Sequence, residues 1–187
     1  MSLEELWELF PIIIKDHNPA YKEWYLREER QLTKAIGQRR IRRISHIGST
    51  AVEGLPAKPI IDILLEIDHN CDIERLQSTL QKAGWRLMSS ASEPDFEISF
   101  NKGYTPSGFA ERVFHLHVRY LGDWNELYFR DFLVEHKKVA LEYAKLKLAL
   151  KEQFEHDRDG YTNAKSDFIL KYSKIAKEEY PNRYALR

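Results

Sequence analysis

Cysteine is almost missing from this chain. Cys71 stands alone among 187 residues, which excludes a disulfide framework or a cysteine-rich zinc site and suits a reducing compartment. Net charge is missing too: Lys and Arg total 29, and so do Asp and Glu. That balance argues against a nucleic-acid coat, a polybasic membrane binder or an acidic tail protein. No apolar run approaches the roughly 18 residues that a membrane span requires. The opening MSLEELWELF is acidic and lacks a cleavable signal pattern. Repeats and low-complexity stretches are also absent. What is present is apolar matter, with 43% hydrophobic and 12% aromatic residues, which excludes disorder. The expectation is one cytoplasmic domain over residues 1–187, long enough to fold without metal or disulfide, with no membrane partner and no bulk nucleic-acid binding.

The pattern along the chain gives helix, sheet, then helices. Asn18 and Pro19 open a helix whose stripe is Tyr21, Trp24, Tyr25, Leu32, Ala35 and Ile36, and Gly37 stops it. Ile41 to Ile47 reads as a strand running into Gly48, and Thr50 to Pro59 as a loop. Ile60 to Ile67 is almost wholly apolar, as expected of a central strand, interrupted by Asp62 and Glu66. Asp72 caps a helix carrying Ile73, Leu76 and Leu80. Three further strands are predicted over residues 85–88, 96–101 and 112–120. Asp123 with Glu126 resembles a capping box, and Phe129, Phe132, Ala140, Tyr143, Leu146 and Leu150 form one apolar stripe. A last helix is predicted over 162–179. The fold class is therefore α+β, a mixed sheet of about five strands with a C-terminal helical pair. Residues 18–121 make the helix-plus-sheet core and 122–180 the packed C-terminal helices.

Four places carry chemistry. A Gly48-Ser49-Thr50 turn lets backbone amides approach a phosphate, and the Ser49 hydroxyl adds a donor. Asp62 follows on a strand beside that turn, and a carboxylate there can hold a divalent cation. Buried among isoleucines and leucines it needs a partner, either a structural Lys or Arg or a metal with substrate. Lys58 supplies a cation near the same loop, and Glu66 shares the Asp62 face by period-two alternation. His115 and His117 project from one strand face roughly 6.5–7 Å apart, a spacing that reaches one metal or one phosphate. Arg130 and Asp131 flank an apolar helix face, read either as phosphate neutralisation or as a salt bridge. Lys165 lies near the start of the last helix, where an anion is favoured. His136 falls on the apolar side of its helix and reads as a satisfied core histidine.

Charge is segregated along this neutral chain: residues 22–43 hold eight basic and three acidic side chains, residues 60–100 three basic and eight acidic. The two nets are 8 − 3 = +5 and 3 − 8 = −5. A local anion site remains compatible with overall neutrality.

The run from His46 through Ile-Gly-Ser-Thr-Ala-Val-Glu-Gly-Leu-Pro-Ala-Lys-Pro-Ile-Ile to Asp62 resembles the signature of the GrpB family. The stretches His115-Leu-His117-Val, Tyr128-Phe-Arg-Asp-Phe132 and Tyr161-Thr-Asn-Ala-Lys-Ser-Asp-Phe168 are similar to it as well, so the likeness spans residues 19–176. Glu53 stands where that motif has proline. The resemblance implies a polymerase-beta-like nucleotidyltransferase fold, and relatives in which the module is fused behind dephospho-coenzyme A kinase. Active members of the wider class use Gly-Ser, then Asp-x-Asp or Asp-x-Glu, then a third acid, with two divalent ions holding a triphosphate. Gly48, Ser49 and Asp62 match, but Leu64 occupies the place of the second acid. The third acid is left to Glu97, or its role to His115 and His117. The expected function is binding of a nucleotide or phosphorylated small molecule with Mg2+ or Mn2+, with nucleotidyl transfer as the reaction. In that reading Asp62 and Ser49 are catalytic. Gly48, Ser49, Thr50, Lys58, Arg130 and Lys165 hold phosphate, and Asp62, His115, His117 and Glu66 hold metal. The alternative is a non-catalytic, degenerate nucleotidyltransferase that binds a ligand or another protein.

Overall fold

In the computed structural model, which describes residues 3–186, a short helix α1 (Leu3–Leu9) precedes an extended segment that bridges to the later loop through Lys15 and Ala57. Asn18 then turns the chain, its Oδ1 accepting the Ala20 amide at 2.9 Å. Helix α2 (Tyr21–Ile36) buries Tyr21, Tyr25, Leu32 and Ile36, the spacing its stripe predicts. Strand β1 (Ile41–Ile47) runs into a 3-10 turn at Ser49–Ala51. Strand β2 (Ile60–Ile67) follows, with every residue buried except Asp62. Helix α3 (Ile73–Lys82) is capped by Asp72, which accepts the Arg75 amide. Then come β3 (Arg86–Ala91), β4 (Glu97–Thr105) and β5 (Gly108–Tyr120). The β4–β5 hairpin is longer than the pattern predicts. Tyr104, Phe109 and Phe10 pack ring against ring near its turn and support the additional ladder.

The sheet order is β1-β2-β5-β4-β3. β2 and β5 are parallel and the other pairings antiparallel. The parallel register sets Asp62 beside His115 and Leu64 beside His117. One sheet face carries Ile61, Ile63, Leu65, Ile67, Phe100, Leu116 and Val118, and packs on α2 and α3 in a single core. Each such side chain contributes roughly 1.5–3 kcal/mol when fully buried. The opposite face carries Asp62, His115 and His117 and is met by the C-terminal helices.

Those helices number three: α4 (Asn125–Glu135), α5 (Lys137–Phe154) and α6 (Arg158–Glu179). The apolar stripe of 129–150 is divided at His136, whose backbone leaves helical angles at φ −110° and ψ 76°. His136 stacks on Phe132 and meets Glu179 at 2.8 Å, so its ring is satisfied. The expected capping box does not form. Trp124 is the N-cap residue of α4, while Asp123 accepts the Tyr128 hydroxyl and pairs with Lys177. Helix α6 starts earlier than its apolar pattern because Asp157 caps it, accepting the Gly160 amide at 2.8 Å. No described helix is long and apolar enough to cross a membrane.

Candidate functional site

The site begins at Gly48, which holds φ at 72°, a region that disfavours side chains. A Cβ there would also stand 2.7 Å from Asp62 Oδ2. The turn therefore needs glycine twice over, and it lays Ser49 against the carboxylate-bearing strand. Asp62 Oδ1 lies 3.3 Å from His115 Nδ1 and 3.7 Å from His117 Nε2. One ligand atom from each of the three falls within 4.8 Å of the others.

The outward nitrogens of both rings are held. His117 Nδ1 faces Glu97 Oε1 at 3.4 Å, and Glu97 is itself anchored by Arg119 at 3.1 Å. His115 Nε2 meets the Tyr104 hydroxyl at 2.7 Å, and Arg158 reaches the same hydroxyl at 2.7 Å. Burial by itself would raise the Asp62 carboxyl, but hydrogen bonds from His115 and His117 outweigh it and hold the group well below the usual carboxylate range. Burial lowers His115, against the pull of Asp62. At His117 burial is overcome by Asp62 and Glu97 together, and the imidazole is raised to about 9.

Four cations surround this cluster. Lys147, only 2% exposed, donates to Ser49 Oγ at 2.9 Å and to the Pro56 carbonyl. Lys58 and Lys165 lie over the buried Tyr161 ring, at 5.1 and 4.4 Å from its centroid. Arg158 completes the set. Among the described residues none of the four has a carboxylate within salt-bridge distance. Burial, with repulsion from neighbouring cations, lowers the lysines against the pull of Asp62 on Lys58 and Lys165: Lys58 and Lys147 to about 7, Lys165 to about 8. Each meets a neighbouring cation, so the place is short of negative charge.

Other predicted residues serve the frame. Glu66 is fully buried and points away from the cluster into a structural pair: Arg43 Nη2 donates to its Oε1 at 2.7 Å, and the Gly122 amide donates to the same oxygen at 3.0 Å. Its carboxylate is consumed there, so the geometry does not join it to Asp62. Thr50 is buried and donates to the Ile60 carbonyl at 3.0 Å. Its single hydrogen is thereby committed, so the neighbouring His46 Nε2 must donate to it at 3.0 Å. Burial lowers His46 to about 4 and keeps it neutral. Arg130 binds Asp131, the His46 carbonyl and the Tyr184 hydroxyl, tying α4 to β1. Leu64 is fully buried and packs with Ile47 and Leu127, so the second-acid position is part of an apolar cluster.

Sequence reasoning passed over Lys147, Arg158 and Tyr104. Lys147 carried a signal: it lies four residues after Tyr143 on the buried stripe of α5, where a lysine must find partners. Arg158 and Tyr104 carried none, because their place depends on how α6 meets the β4–β5 hairpin.

A mixed sheet that carries a Gly-Ser turn against an acid-bearing strand defines the nucleotidyltransferase-like fold. The solved poly(A) polymerase complex GLD-2–GLD-3 shares it, with a TM-score of 0.56 over 98% of this chain and 65% of that one, at 13% identity. Within that class the chain belongs to the GrpB family: the profile described as GrpB protein matches residues 11–174. The glutamate-rich protein GrpB of Alkalihalophilus pseudofirmus is 35% identical over 162 residues, covering 84% of this chain and 91% of that protein. The crystal structure of the conserved protein GrpB from Enterococcus faecalis superposes with a TM-score of 0.78 at 28% identity, covering 90% of this chain and 99% of that one. A dephospho-CoA kinase of Mycolicibacterium paratuberculosis also matches, at 25% identity, over 81% of this chain and 43% of its own length.

Proposed function

We propose that this protein binds a phosphorylated small molecule, of the nucleotide class, together with one divalent cation, at the sheet face that meets α5 and α6. The observation that carries this reading is the convergence of Asp62, His115 and His117 near four cations that, among the described residues, have no carboxylate within salt-bridge distance. Ser49 and Lys58, Lys147, Lys165 and Arg158 hold phosphate oxygens, while Asp62 and the two imidazoles hold the metal.

The donor set suits one ion. Two nitrogens and one carboxylate oxygen favour Mn2+ or a later transition ion over Mg2+, which prefers an all-oxygen shell. Glu97 and Tyr104, at the far nitrogens, supply the outer contacts that orient ligating histidines. A bound cation would draw charge from the phosphate oxygens and help seat the ligand. The two-ion arrangement that activates a hydroxyl in nucleotidyl transfer needs a second carboxylate, and Leu64 supports binding without transfer as the better reading.

Calorimetry with Mn2+, Mg2+ and nucleoside triphosphates on the wild type and on Asp62→Asn tests this. The expected result is Mn2+-dependent nucleotide binding that Asp62→Asn weakens at least tenfold. Turnover to a nucleotidylated product would instead restore the transferase reading, and no binding of any nucleotide or metal would end the site hypothesis.

A further inference from the structure

Beside the cluster lies a cavity of about 490 Å³ between the 11–18 segment, the start of α2, and the first residues of β2 and β5. Its wall includes Tyr21, Trp24, Ile60, Phe109 and Val113, with Lys58 on its border. Ile60 and Val113 are register partners and precede Asp62 and His115 by two residues each. Period-two alternation puts all four on one sheet face, so this part of the cavity wall sits one strand step, roughly 7 Å along the strands, from Asp62 and His115. Lys58 belongs to both places. It lines the cavity, and its ammonium reaches the Tyr161 ring at 5.1 Å within electrostatic range of Asp62, Lys165 and Arg158.

The two halves differ in character. The cluster end gathers cations that no described carboxylate meets at salt-bridge distance. The cavity end is largely apolar and aromatic, and there Asp16 and Glu111 outnumber Lys15. A ligand spanning both must carry its negative charge at the Lys58 end and an uncharged group in the cavity. Three aromatic side chains in the wall favour a flat ring over an alkyl chain. A volume of this size falls in the range that encloses a small-molecule group.

We infer that this cavity is a subsite for the ring of a nucleotide whose phosphates lie on Lys58 and the neighbouring cations. The inference rests on the phosphate-and-metal reading above. It deepens that reading by making the base and sugar, as well as the phosphates, recognition elements.

The test compares the four ribonucleoside triphosphates with inorganic tripolyphosphate by calorimetry, each with Mn2+, on the wild type and on Ala110→Trp. Ala110 lines the cavity and is exposed, so a tryptophan there fills the space without cutting the core. At least one nucleotide is expected to bind about tenfold or more tightly than tripolyphosphate. Ala110→Trp is expected to erase that preference and leave tripolyphosphate affinity unchanged. Trp24→Leu, which removes one ring of the wall, is expected to reduce the preference in part and covers the case in which the bulkier variant misfolds. Equal affinity of tripolyphosphate and every nucleotide overturns the ring subsite and leaves the anion site standing, as does a nucleotide preference untouched by both variants. Failure of tripolyphosphate and nucleotides alike overturns the anion site and the subsite together.

Discussion

The Lys147 ammonium on α5 donates to the Ser49 hydroxyl at 2.9 Å across 98 residues of sequence, a direct polar contact between the C-terminal helices and the Gly-Ser turn. Lys147 is held there by two oxygens and no carboxylate, so its charge is costly until an anion arrives. Lys147→Met keeps the buried stem and removes the charge. Stability measured by urea unfolding is expected to change by no more than about 1 kcal/mol, because replacing a poorly compensated buried charge with an apolar isostere is close to neutral. Tripolyphosphate affinity, measured by calorimetry, is expected to fall at least tenfold.

The same lysines give a pH signature. Burial holds Lys58 and Lys147 at about 7 and Lys165 at about 8, below the ordinary lysine value, so the unfolded chain binds more protons than the folded one from pH 7 upward. Their contribution to stability therefore grows as pH rises from 7 toward 9, by up to about 1.4 kcal/mol per pH unit for each displaced proton. His117 works in the opposite sense. Burial lowers it but Asp62 and Glu97 raise it further, to about 9, so its contribution is complete below its unfolded value and lost as pH climbs through 9. Urea midpoints at pH 7, 8 and 9 should rise less steeply in Lys147→Met than in the wild type. Anion affinity should move the other way, weakening above pH 7–8 as the free lysines lose their protons.

Glu97 reaches the Asp62–His115–His117 cluster only through His117 Nδ1, at 3.4 Å. Glu97→Gln retains the side-chain shape and removes the carboxylate that orients the ring. Mn2+ affinity is expected to fall 10- to 100-fold, with little change in thermal unfolding. The competing result is unchanged Mn2+ affinity, which would make Glu97 a partner of Arg119 alone.

Leu64→Asp would introduce the Asp-x-Asp pattern that the resemblance associates with active nucleotidyltransferases. The side chain is fully buried against Ile47 and Leu127, so the substitution combines a lost apolar contact with an unpaired buried carboxyl. A destabilisation on the order of 3–5 kcal/mol is expected from chemical denaturation, and transferase activity is not.

Glu66→Leu separates frame from site. It leaves the Arg43 guanidinium without its buried partner and should cost roughly 3 kcal/mol in unfolding free energy. Metal and nucleotide affinity of the folded fraction should be preserved, since Glu66 touches neither imidazole.

Much of the fold was legible because local rules decide it. The 3.6-residue stripe of α2, the Asp72 cap of α3 and the nearly unbroken apolar run of β2 each follow from neighbours in sequence. The division of the C-terminal stripe at His136 was not legible, since the apolar spacing continues across it. At the break His136 leaves helical backbone angles while its ring meets Phe132 and Glu179. The site was legible in the same measure. An acid inside an apolar strand, a glycine before a serine and two histidines at i and i+2 announced themselves through cost or alternation.

The sequence alone determined that Asp62 needs a partner, that His115 and His117 share a face, and that Gly48 makes a turn. It could not determine which elements meet. The parallel pairing of β2 with β5 brought the histidines to Asp62, and the packing of α5 and α6 brought Lys147 and Arg158. That same tertiary arrangement gave Glu66 to Arg43 and Leu64 to a hydrophobic cluster. The reason is physical. Periodicity sets the direction of a side chain relative to its own strand or helix, whereas its partner depends on contacts between segments distant in the chain.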